Sequence, residues 1–227
     1  MKPTISVVIP VLNDETQLIL SLKSLQPLRN DCELIVVDGG STDGSPTLAA
    51  PLADKVISTQ RGRAKQMNAG AAEAQADVLL FLHADTVLPP SAVRKILHAV
   101  TADRCWGRFD VQFDSQRPIF KLIAFMMNWR SRLTGIATGD QVLFVTRKAF
   151  ETIGGFPDIA LMEDIAISER LKKLGMPCCL RDKVITSARR WEHNGVLKTI
   201  LLMWRLRLAY FFGADPNDLA AIYYRRT

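Results

Sequence analysis

The first hundred residues alternate between short, uninterrupted apolar runs and segments in which apolar residues recur at helical spacing. Four runs are predicted to form strands, at residues 5–9, 34–37, 55–58 and 78–82, and all but the short run at 55–58 are apolar enough to be buried. A helical segment follows each run, at residues 15–25, from about 43, at 63–74 and from 89 to about 100. Ser41 is the expected cap of the second helix. Buried strands that alternate with helices predict a parallel sheet covered on both faces, which is an α/β fold.

The second half of the chain has a different pattern. Residues 106–113 alternate in polarity and place Arg108, Asp110 and Gln112 on one side, which predicts a half-exposed, antiparallel strand. Apolar helices are predicted at residues 119–133, 163–174 and 196–212, a strand at 141–146, and a short last helix at 217–224. Asp215, with the proline that follows it, is expected to begin that last helix.

The composition indicates which partners and which cellular location to expect. With 29 basic and 23 acidic residues among 227, the chain has a formal net charge of +6, which favours an anionic partner. The basic residues are dispersed and carry no recognition-helix or stacking-aromatic signature, so we expect no nucleic-acid partner. The four cysteines lack zinc-site or paired spacing, so we expect reduced, buried thiols. The sequence shows neither a leader peptide nor an apolar run of about 18 residues, and we therefore expect a cytoplasmic protein.

Acidic residues follow three of the predicted strands: Asp14 follows the first, Asp38 the second and Asp85 the fourth. Ligands of an open α/β sheet bind beyond the carboxyl ends of its strands, so these side chains are expected at one edge. The chain lacks the glycine motifs of dinucleotide-binding and P-loop proteins. A carboxylate can instead accept hydrogen bonds from a base or ribose. Asp85 suits Mg²⁺ or Mn²⁺, and Arg61 and Arg63 can offset phosphate charge. The pattern predicts a nucleoside diphosphate held through one divalent metal ion.

Five segments, in this order and spacing, resemble the motifs of the family 2 glycosyltransferases, an inverting group with a GT-A fold. They are SVVIPVLND at residues 6–14, VDGGSTDG at 37–44, GRAKQMNAG at 62–70, LHAD at 82–85, and GGFP at 154–157 followed by MED at 162–164. The resemblance covers most of the chain. It implies an α/β, Rossmann-like mixed sheet flanked by helices, with amphipathic C-terminal helices, in a single catalytic domain over residues 1–227. We divide this domain into a nucleotide-binding part at 1–104, a catalytic and acceptor part at 105–194, and C-terminal helices at 195–227.

The resemblance also implies roles for individual residues. Asp164 is the expected general base, and Glu163 is expected to orient it or to bind the acceptor. Asp85 is the expected ligand of Mg²⁺ or Mn²⁺. His83 stands where the family's Asp-x-Asp motif begins, and we expect it to contact ribose or pyrophosphate. The nucleotide-sugar site is expected to comprise Pro10, Val11, Asn13, Asp14, Asp38, Gly40, Arg61, Gly62, Arg63, Asn68, His83, Ala84 and Asp85.

Further candidates lie in the second half of the chain. Asp140 and Gln141 are candidates for binding the donor sugar or the acceptor, although an acid at such a position serves a turn equally often. Arg189 and Arg190 are expected to offset the charge that grows on a leaving diphosphate. His193 is a candidate second metal ligand or pyrophosphate contact.

The resemblance implies transfer of one sugar from a nucleotide diphosphate sugar, with a UDP-sugar favoured, to an acceptor hydroxyl that the sequence does not identify. Processive members of the family carry a Gln/Arg-x-x-Arg-Trp motif. Here Ser187 stands at its first position, before Arg190 and Trp191, which favours single transfer. Two alternatives stay open. One is a polyprenyl-phosphate sugar synthase at the membrane surface, and the other is a non-catalytic protein that binds a nucleotide sugar.

The predicted helix at 196–212 is apolar on all sides except for Lys198, Arg205 and Arg207. Such a helix can pack on the catalytic core, with its cations reaching solvent, or form a dimer interface. It can also lie on an anionic membrane surface. Packing or dimerisation is the favoured interpretation, and peripheral contact with the inner face of the membrane is the alternative.

Overall fold

The computed structural model describes residues 3–101 and 104–225. In these ranges eight strands are found: β1 (Ile5–Val11), β2 (Cys32–Asp38), β3 (Lys55–Ser58), β4 (Val78–Phe81), β5 (Thr86–Val87), β6 (Trp106–Phe113), β7 (Leu143–Thr146) and β8 (Cys178–Thr186). The α-helices of the same ranges are α1 (Glu15–Leu25), α2 (Ser45–Ala49), α3 (Arg63–Glu73), α4 (Ala92–Ala99), α5 (Pro118–Thr134), α6 (Arg147–Thr152), α7 (Glu163–Lys172), α8 (Arg189–Asn194), α9 (Val196–Phe211) and α10 (Pro216–Arg225). Two 3₁₀ turns occupy Gln26–Leu28 and Gly139–Gln141.

The strands form one sheet in the order β3-β2-β1-β4-β7-β6-β8-β5. The first four strands of this order are parallel, so their carboxyl ends meet at one edge. β7 runs antiparallel to both β4 and β6, and β8 runs parallel to β6 with a register shift in the middle of that strand. The predicted mixed α/β fold class is confirmed.

Helices cover both faces of the parallel strands, which explains why these strands are apolar throughout. On β1, Val7 and Ile9 join an apolar layer that contains Leu18 of α1, whereas Val8 joins the layer on the opposite face, which α3 covers. At Gly70 α3 comes so close to the sheet that an added Cβ would lie 2.3 Å from Cγ1 of Val8. This tight contact fixes α3 against the strands whose ends form the candidate site.

The prediction that β6 is half-exposed is wrong. Arg108 and Asp110 are buried, because α5 packs over this strand and supplies their partners. Arg108 donates to Asp110, to Oγ of Ser131 at 3.0 Å and to the carbonyl oxygen of Asn128 at 3.0 Å. Arg132 donates to both carboxylate oxygens of Asp110, at 2.7 and 2.8 Å. The predicted antiparallel pairing holds only toward β7, since β6 is parallel to β8.

The sequence pattern missed four elements. β8 carries three consecutive charged residues, at 181–183, so neither alternation nor an apolar run identifies it. β5 has two residues, and α6 and α8 have six each, which is too short to show a period. The prediction that Ser41 caps a helix is wrong. α2 begins at Ser45, and the Ser41 hydroxyl instead accepts the amide N–H of Asn13 at 2.9 Å.

The four cysteines are free thiols, and their burial differs from the expectation. Cys32 is buried. Its burial, with a smaller contribution from Asp31, raises the pKa of the thiol to about 12. The expectation of buried thiols is wrong for Cys105, Cys178 and Cys179, which are partly exposed.

α9 packs on the rest of the protein through one face. Leu202 and Leu206 lie in an apolar cluster with Leu161, which precedes α7, and with Leu219 of α10. On the other face, large apolar side chains are exposed: Leu197, Leu201, Trp204, Leu208 and Phe211. The predicted packing on the core is therefore confirmed for one face of this helix, and the other face is exposed. No helix in the described ranges is long and apolar enough to cross a membrane.

Replacing Asp110 by Asn is expected to lower the free energy of unfolding by about 3 kcal/mol, because Arg108 would stay buried without its counter-ion. Asp182→Asn is the matched control on β8. Its partner Lys95 lies at 3.5 Å and is exposed, so this loss should be about 1 kcal/mol or less. Urea denaturation of both variants measures the difference. Equal losses would contradict this account of the buried cluster.

Candidate active site

A cavity of about 1350 Å³ opens at the carboxyl ends of the parallel strands. Predicted site residues from six separate segments line it: Pro10, Val11, Asp14, Arg61, Gly62, Arg63, His83, Ala84, Asp85, Asp140, Asp164 and Arg190. Four helices, α5, α8, α9 and α10, also contribute lining side chains, among them Met127, Arg130, Trp191, Arg207 and Tyr223. The fold thus brings most of the predicted site residues together.

The loops after β1 and β2 hold each other in place. Asn13 has a left-handed backbone conformation, with φ 51°, and its Oδ1 accepts the amide N–H of Thr42 at 2.7 Å. Asp38 is only 3% exposed, and its carboxylate accepts the amide N–H groups of Gly40 and Ser41 at 3.0 and 3.1 Å. Asn13, Asp38 and Gly40 therefore shape these loops and do not line the cavity. Their contact with a nucleotide stays a prediction.

Gln66, which we did not predict as a site residue, joins the ends of β1 and β2. Its side-chain Nε2 donates to the carbonyl oxygens of Val11 and Val37, both at 2.8 Å. A Cβ at Gly39 would lie 3.0 Å from this amide, so the glycine leaves room for the Gln66 side chain. The loops that follow the two strands consequently start from fixed positions.

Titratable side chains lie around His83. Nδ1 of His83 is 3.6 Å from Oδ1 of Asp140. Burial opposes the charge of Asp140, but His83, together with Arg63, outweighs it and keeps the pKa of this carboxyl below its usual value. Asp85 shows the opposite shift. Burial raises its pKa, and Asp140 adds to the rise against the opposing effect of His83. A cation bound beside Asp85 would therefore favour the charged form of this carboxyl.

The side chains at Asp85 fit a divalent ion that arrives with a phosphate ligand. In the described part of the chain, no three His, Cys, Asp or Glu residues are grouped so that they could hold a metal ion. Mg²⁺ usually binds through one or two carboxylates, with phosphate and water completing its shell, and Asp85 provides one such carboxylate. His193 adds no ligand in this geometry. It is exposed, lies outside the cavity lining, and has its Nδ1 3.1 Å from Oδ1 of Asn194.

Glu163 and Asp164 begin α7, directly after Met162, whose φ of 69° is uncommon for a residue other than glycine. The Asp164 carboxylate lines the cavity and is held by two amide N–H groups, that of Gly139 at 3.1 Å and that of Ile165 at 2.8 Å. Glu163 is 6% exposed and lies outside the main cavity. Its burial, and then the charge of Asp164, raise the pKa of the Glu163 carboxyl.

Arginines and tyrosines meet on the side of α10. The Arg190 guanidinium lies 4.2 Å from the ring centre of Tyr223, and that of Arg61 lies 5.5 Å from the ring centre of Tyr224. Burial disfavours the charge of Arg63, yet Glu163 and the two tyrosines raise the pKa of its guanidinium. The last helix thus positions three cations of the cavity.

Three further predicted residues have protein partners and lie outside the cavity lining. The Asn68 side chain bonds the backbone of Phe156, donating at 2.8 Å and accepting at 2.9 Å. Gln141 is fully buried in the capping box of its 3₁₀ turn. Arg189 donates to the carboxylate of Asp14 at 3.1 Å. Substrate contacts of Asn68, Gln141 and Arg189 stay predictions.

Sequence reasoning missed three cations that line the cavity, namely Arg130, Lys198 and Arg207. The sequence did distinguish these residues, because each is a cation in an otherwise apolar helix. For the two in the predicted helix at 196–212, we expected the charged ends to reach solvent. Periodicity alone could not show that α5 and α9 turn these positions toward the strand ends.

A sequence model described as glycosyl transferase family 2 matches residues 6–154, which is more than half of the chain. The chain belongs to glycosyl transferase family 2. The resemblance predicted from its motifs is confirmed. The chain is thus a family 2 member that has His83 at the first position of the Asp-x-Asp motif.

The relatives and solved structures that this chain resembles are longer than the chain. It is 26% identical to the probable glycosyltransferase YdaM of Bacillus subtilis (strain 168), over 93% of the chain and 55% of the relative. It is 30% identical to the undecaprenyl-phosphate 4-deoxy-4-formamido-L-arabinose transferase of Proteus mirabilis (strain HI4320), over 60% of the chain and 46% of the relative. The chain thus spans about half the length of these curated relatives.

Among solved structures, the mannosyltransferase PcManGT of Pyrobaculum calidifontis, in complex with GDP-Man and Mn²⁺, resembles the chain with a TM-score of 0.65. The two are 20% identical, and the match covers 92% of this chain and 61% of that one. This likeness concerns the fold, and it confirms the predicted GT-A architecture for this family 2 chain.

Replacing Glu163 by Gln is expected to change how the stability of this family 2 chain depends on pH. The folded-state pKa of Glu163 is raised, so the wild type loses stability as pH rises from about 4.3, the ordinary value, through the folded-state pKa. The free energy of unfolding of the variant, relative to wild type, should therefore increase over that interval and then level off.

Urea denaturation at a series of pH values measures this trend. Glu169→Gln, at an exposed position of the same helix, is the control for the loss of an acidic side chain from α7. The attraction between ionised Glu163 and Arg63 acts against this trend, but burial and the charge of Asp164 outweigh it, so the pKa remains raised. A flat difference for E163Q would show that burial does not raise this pKa.

Proposed function

We propose that this family 2 chain transfers one sugar from a nucleotide diphosphate sugar to an acceptor hydroxyl, by direct displacement with inversion. One observation carries the proposal: the carboxylates of Asp85 and Asp164, from the two halves of the chain, line the same cavity. The first suits a metal-bound diphosphate, and the second suits a proton acceptor. The names of the relatives, and the GDP-Man and Mn²⁺ of the mannosyltransferase structure, support a donor of this class.

The donor diphosphate would bind between Asp85 and the cations of the cavity. A Mg²⁺ or Mn²⁺ ion held by Asp85 would supply positive charge for the leaving diphosphate. Arg63 and Arg190 also line the cavity and offset charge on the leaving group through their guanidinium groups. We favour a UDP-sugar, with the Asp38 carboxylate at the end of β2 as the predicted acceptor of the uracil N–H.

Asp164 would act as the general base. It takes the proton of the acceptor hydroxyl while the acceptor oxygen forms a bond to the anomeric carbon. The bond from that carbon to the diphosphate breaks on the opposite face, and the nucleoside diphosphate leaves with the bonding electrons. The amide N–H groups of Gly139 and Ile165 orient the carboxylate for this role, which favours an enzyme over a protein that merely binds a nucleotide sugar.

Asp164→Asn is expected to lower turnover by about 10²- to 10⁴-fold, because an amide cannot accept the proton. The Kd of the donor should change by less than about twofold, since the variant keeps the size of the side chain. Release of nucleoside diphosphate measures turnover, and isothermal titration calorimetry measures donor binding. Loss of donor binding in this variant would contradict the assignment of the base.

Asp158→Asn is the matched control for this experiment. Asp158 also lines the cavity, but its carboxylate is exposed and pairs with Lys65 at 3.8 Å, so turnover should stay close to that of wild type. A thermal-shift screen of UDP-, GDP- and dTDP-sugars with Mn²⁺ selects the donor for the assay. Absence of stabilisation by all of them would contradict the proposed donor class.

A second candidate function is transfer to a polyprenyl phosphate at a membrane surface. Exposed apolar side chains on α5 and α9 favour it: Leu122, Phe125, Met126, Trp129, Leu133, Leu197, Leu201, Trp204, Leu208 and Phe211. Met126 and Trp204 also line the cavity, so this apolar surface is continuous with the site. The name of the Proteus mirabilis relative supports the same acceptor class. Apolar helices with basic residues bind anionic lipid interfaces.

Under this second candidate, the chain is expected to float with vesicles that contain phosphatidylglycerol, and added salt should weaken the binding. The double variant Leu208→Glu with Phe211→Glu should lose this association. Leu20→Glu, at an exposed apolar position of α1, is the control and should float like wild type. A stable dimer in sedimentation experiments that the double variant dissociates, without vesicle binding, would instead support a dimer interface.

A further inference from the structure

Two arginines in the wall of the cavity have buried guanidinium nitrogens without a hydrogen-bond partner. Arg130 lies on α5 and Arg207 on α9, and both line the cavity. Nε and Nη2 of Arg130 and Nε of Arg207 are closed to solvent and have no partner within residues 3–101 and 104–225. The hydroxyl of Ser45 is the other buried side-chain group of this kind in those ranges. The unpaired polar atoms are thus concentrated at one place in the cavity.

The surroundings do not neutralise these arginines. Burial is the main cause that lowers the pKa of Arg130 to about 10, and the charge of Arg207 is the second cause. Asp164 acts in the opposite direction on Arg130, and Asp140 interacts with Arg207. Neither carboxylate is hydrogen-bonded to the buried nitrogens. Asp164 accepts backbone N–H groups instead, and Asp140 faces His83.

A buried guanidinium without its hydrogen bonds is costly, so this arrangement indicates that a ligand supplies the missing partner. We propose that Arg130 and Arg207 bind a phosphate group carried by the acceptor. The inference rests on the proposed function, because it assigns a substrate class to the acceptor end of the same cavity.

Phosphate matches the two arginines better than carboxylate does. A phosphate monoester carries a charge of about −1.5 to −2 at pH 7, close to that of two guanidinium groups, whereas a carboxylate would leave one of them uncompensated. Phosphate also presents three acceptor oxygens, enough for donors that approach from two helices. The planar guanidinium group suits bidentate bonds to such an anion.

The position of the pair favours the acceptor over the donor diphosphate. Of the cations assigned to the donor diphosphate, Arg61 and Arg63 lie just before and at the start of α3, and Arg190 lies on α8; none of them is on α5 or α9, the helices that carry the pair. Arg130 is close enough to Asp164 to feel its charge. Ile123, Met127 and Met203, on the same two helices as the pair, also line the cavity, so the acceptor can be apolar beyond its phosphate. A water-soluble phosphate ester with a free hydroxyl fits the first candidate function, and a lipid phosphate, whose own phosphate oxygen would accept the sugar, fits the second.

The test uses the full chain saturated with Mg²⁺ and the nucleoside diphosphate chosen by the donor screen, so that the donor phosphate site is filled. Inorganic phosphate is then titrated by calorimetry. Arg130→Gln and Arg207→Gln should each weaken phosphate binding by about tenfold or more. Arg205→Gln, at an exposed position of α9, is the matched control and should leave it unchanged. Nucleoside diphosphate affinity should stay the same in all three variants.

Thermal unfolding without ligand checks that the variants fold. Because Arg130→Gln and Arg207→Gln each remove an unpaired, repelled charge, the melting temperature should stay the same or rise. Inorganic phosphate should raise the melting temperature of wild type more than that of either variant. If one variant does not fold, the phosphate affinity of the other variant tests the proposal.

Farnesyl phosphate and farnesol in detergent micelles then distinguish the two sources of phosphate. Tighter binding of farnesyl phosphate than of inorganic phosphate, without binding of farnesol, supports a lipid phosphate. Equal affinity for the two phosphates supports a water-soluble ester.

Unchanged phosphate affinity in both glutamine variants would overturn the proposal while leaving the proposed function intact. Loss of nucleoside diphosphate affinity in these variants would also overturn it, because the arginines would then belong to the donor site. Failure of wild type to bind any nucleoside diphosphate would instead contradict the proposed function.

Discussion

The candidate site depends on the two hydrogen bonds of the Gln66 side chain. They join the carbonyl oxygens of Val11 and Val37, at the ends of β1 and β2, to the first turns of α3. A buried amide that is satisfied in this way is difficult to displace, so it fixes α3 relative to the strand ends. Arg63 begins the same helix and therefore reaches the cavity from a defined direction. The loops that follow the two strands start from the same fixed edge.

Charge in the cavity is incompletely compensated by the protein. Asp85 is partly buried and has a raised pKa, while Arg130 and Arg207 have buried nitrogens without partners. A site optimised for stability alone would pair or remove such groups. A metal-bound nucleotide and an anionic acceptor would supply the missing partners, a cation beside Asp85 and an anion beside the arginines. Backbone strain lies in the same region, because Asn13 and Met162 have left-handed φ values directly before candidate site residues.

Sequence reasoning succeeded where a local pattern determines the structure. The apolar runs of β1, β2 and β4 identified a sheet covered on both faces, and the acids after them identified the edge where the cavity lies. The prediction that Asp215 begins the last helix is confirmed, since its carboxylate accepts the amide N–H of Asn217 at 2.8 Å.

Sequence reasoning failed where a long-range contact decides. The alternation in β6 was read correctly, but burial of Arg108 depends on α5, which no pattern within the strand reveals. The motif that contains Asn68 likewise gave no indication that this side chain bonds the backbone of Phe156, 88 residues away. Arg130 and Arg207 face the cavity because α5 and α9 pack across the strand ends, and periodicity could not predict this packing.

Direct displacement can be tested without a known acceptor, through the configuration of the sugar that the enzyme releases. Water can replace the acceptor when the donor is incubated with the enzyme and Mn²⁺, and proton NMR at early times distinguishes the two anomers of the sugar. A single displacement at the anomeric carbon predicts that the first sugar released has the anomeric configuration opposite to that of the donor. Release with retained configuration would contradict a single displacement assisted by Asp164.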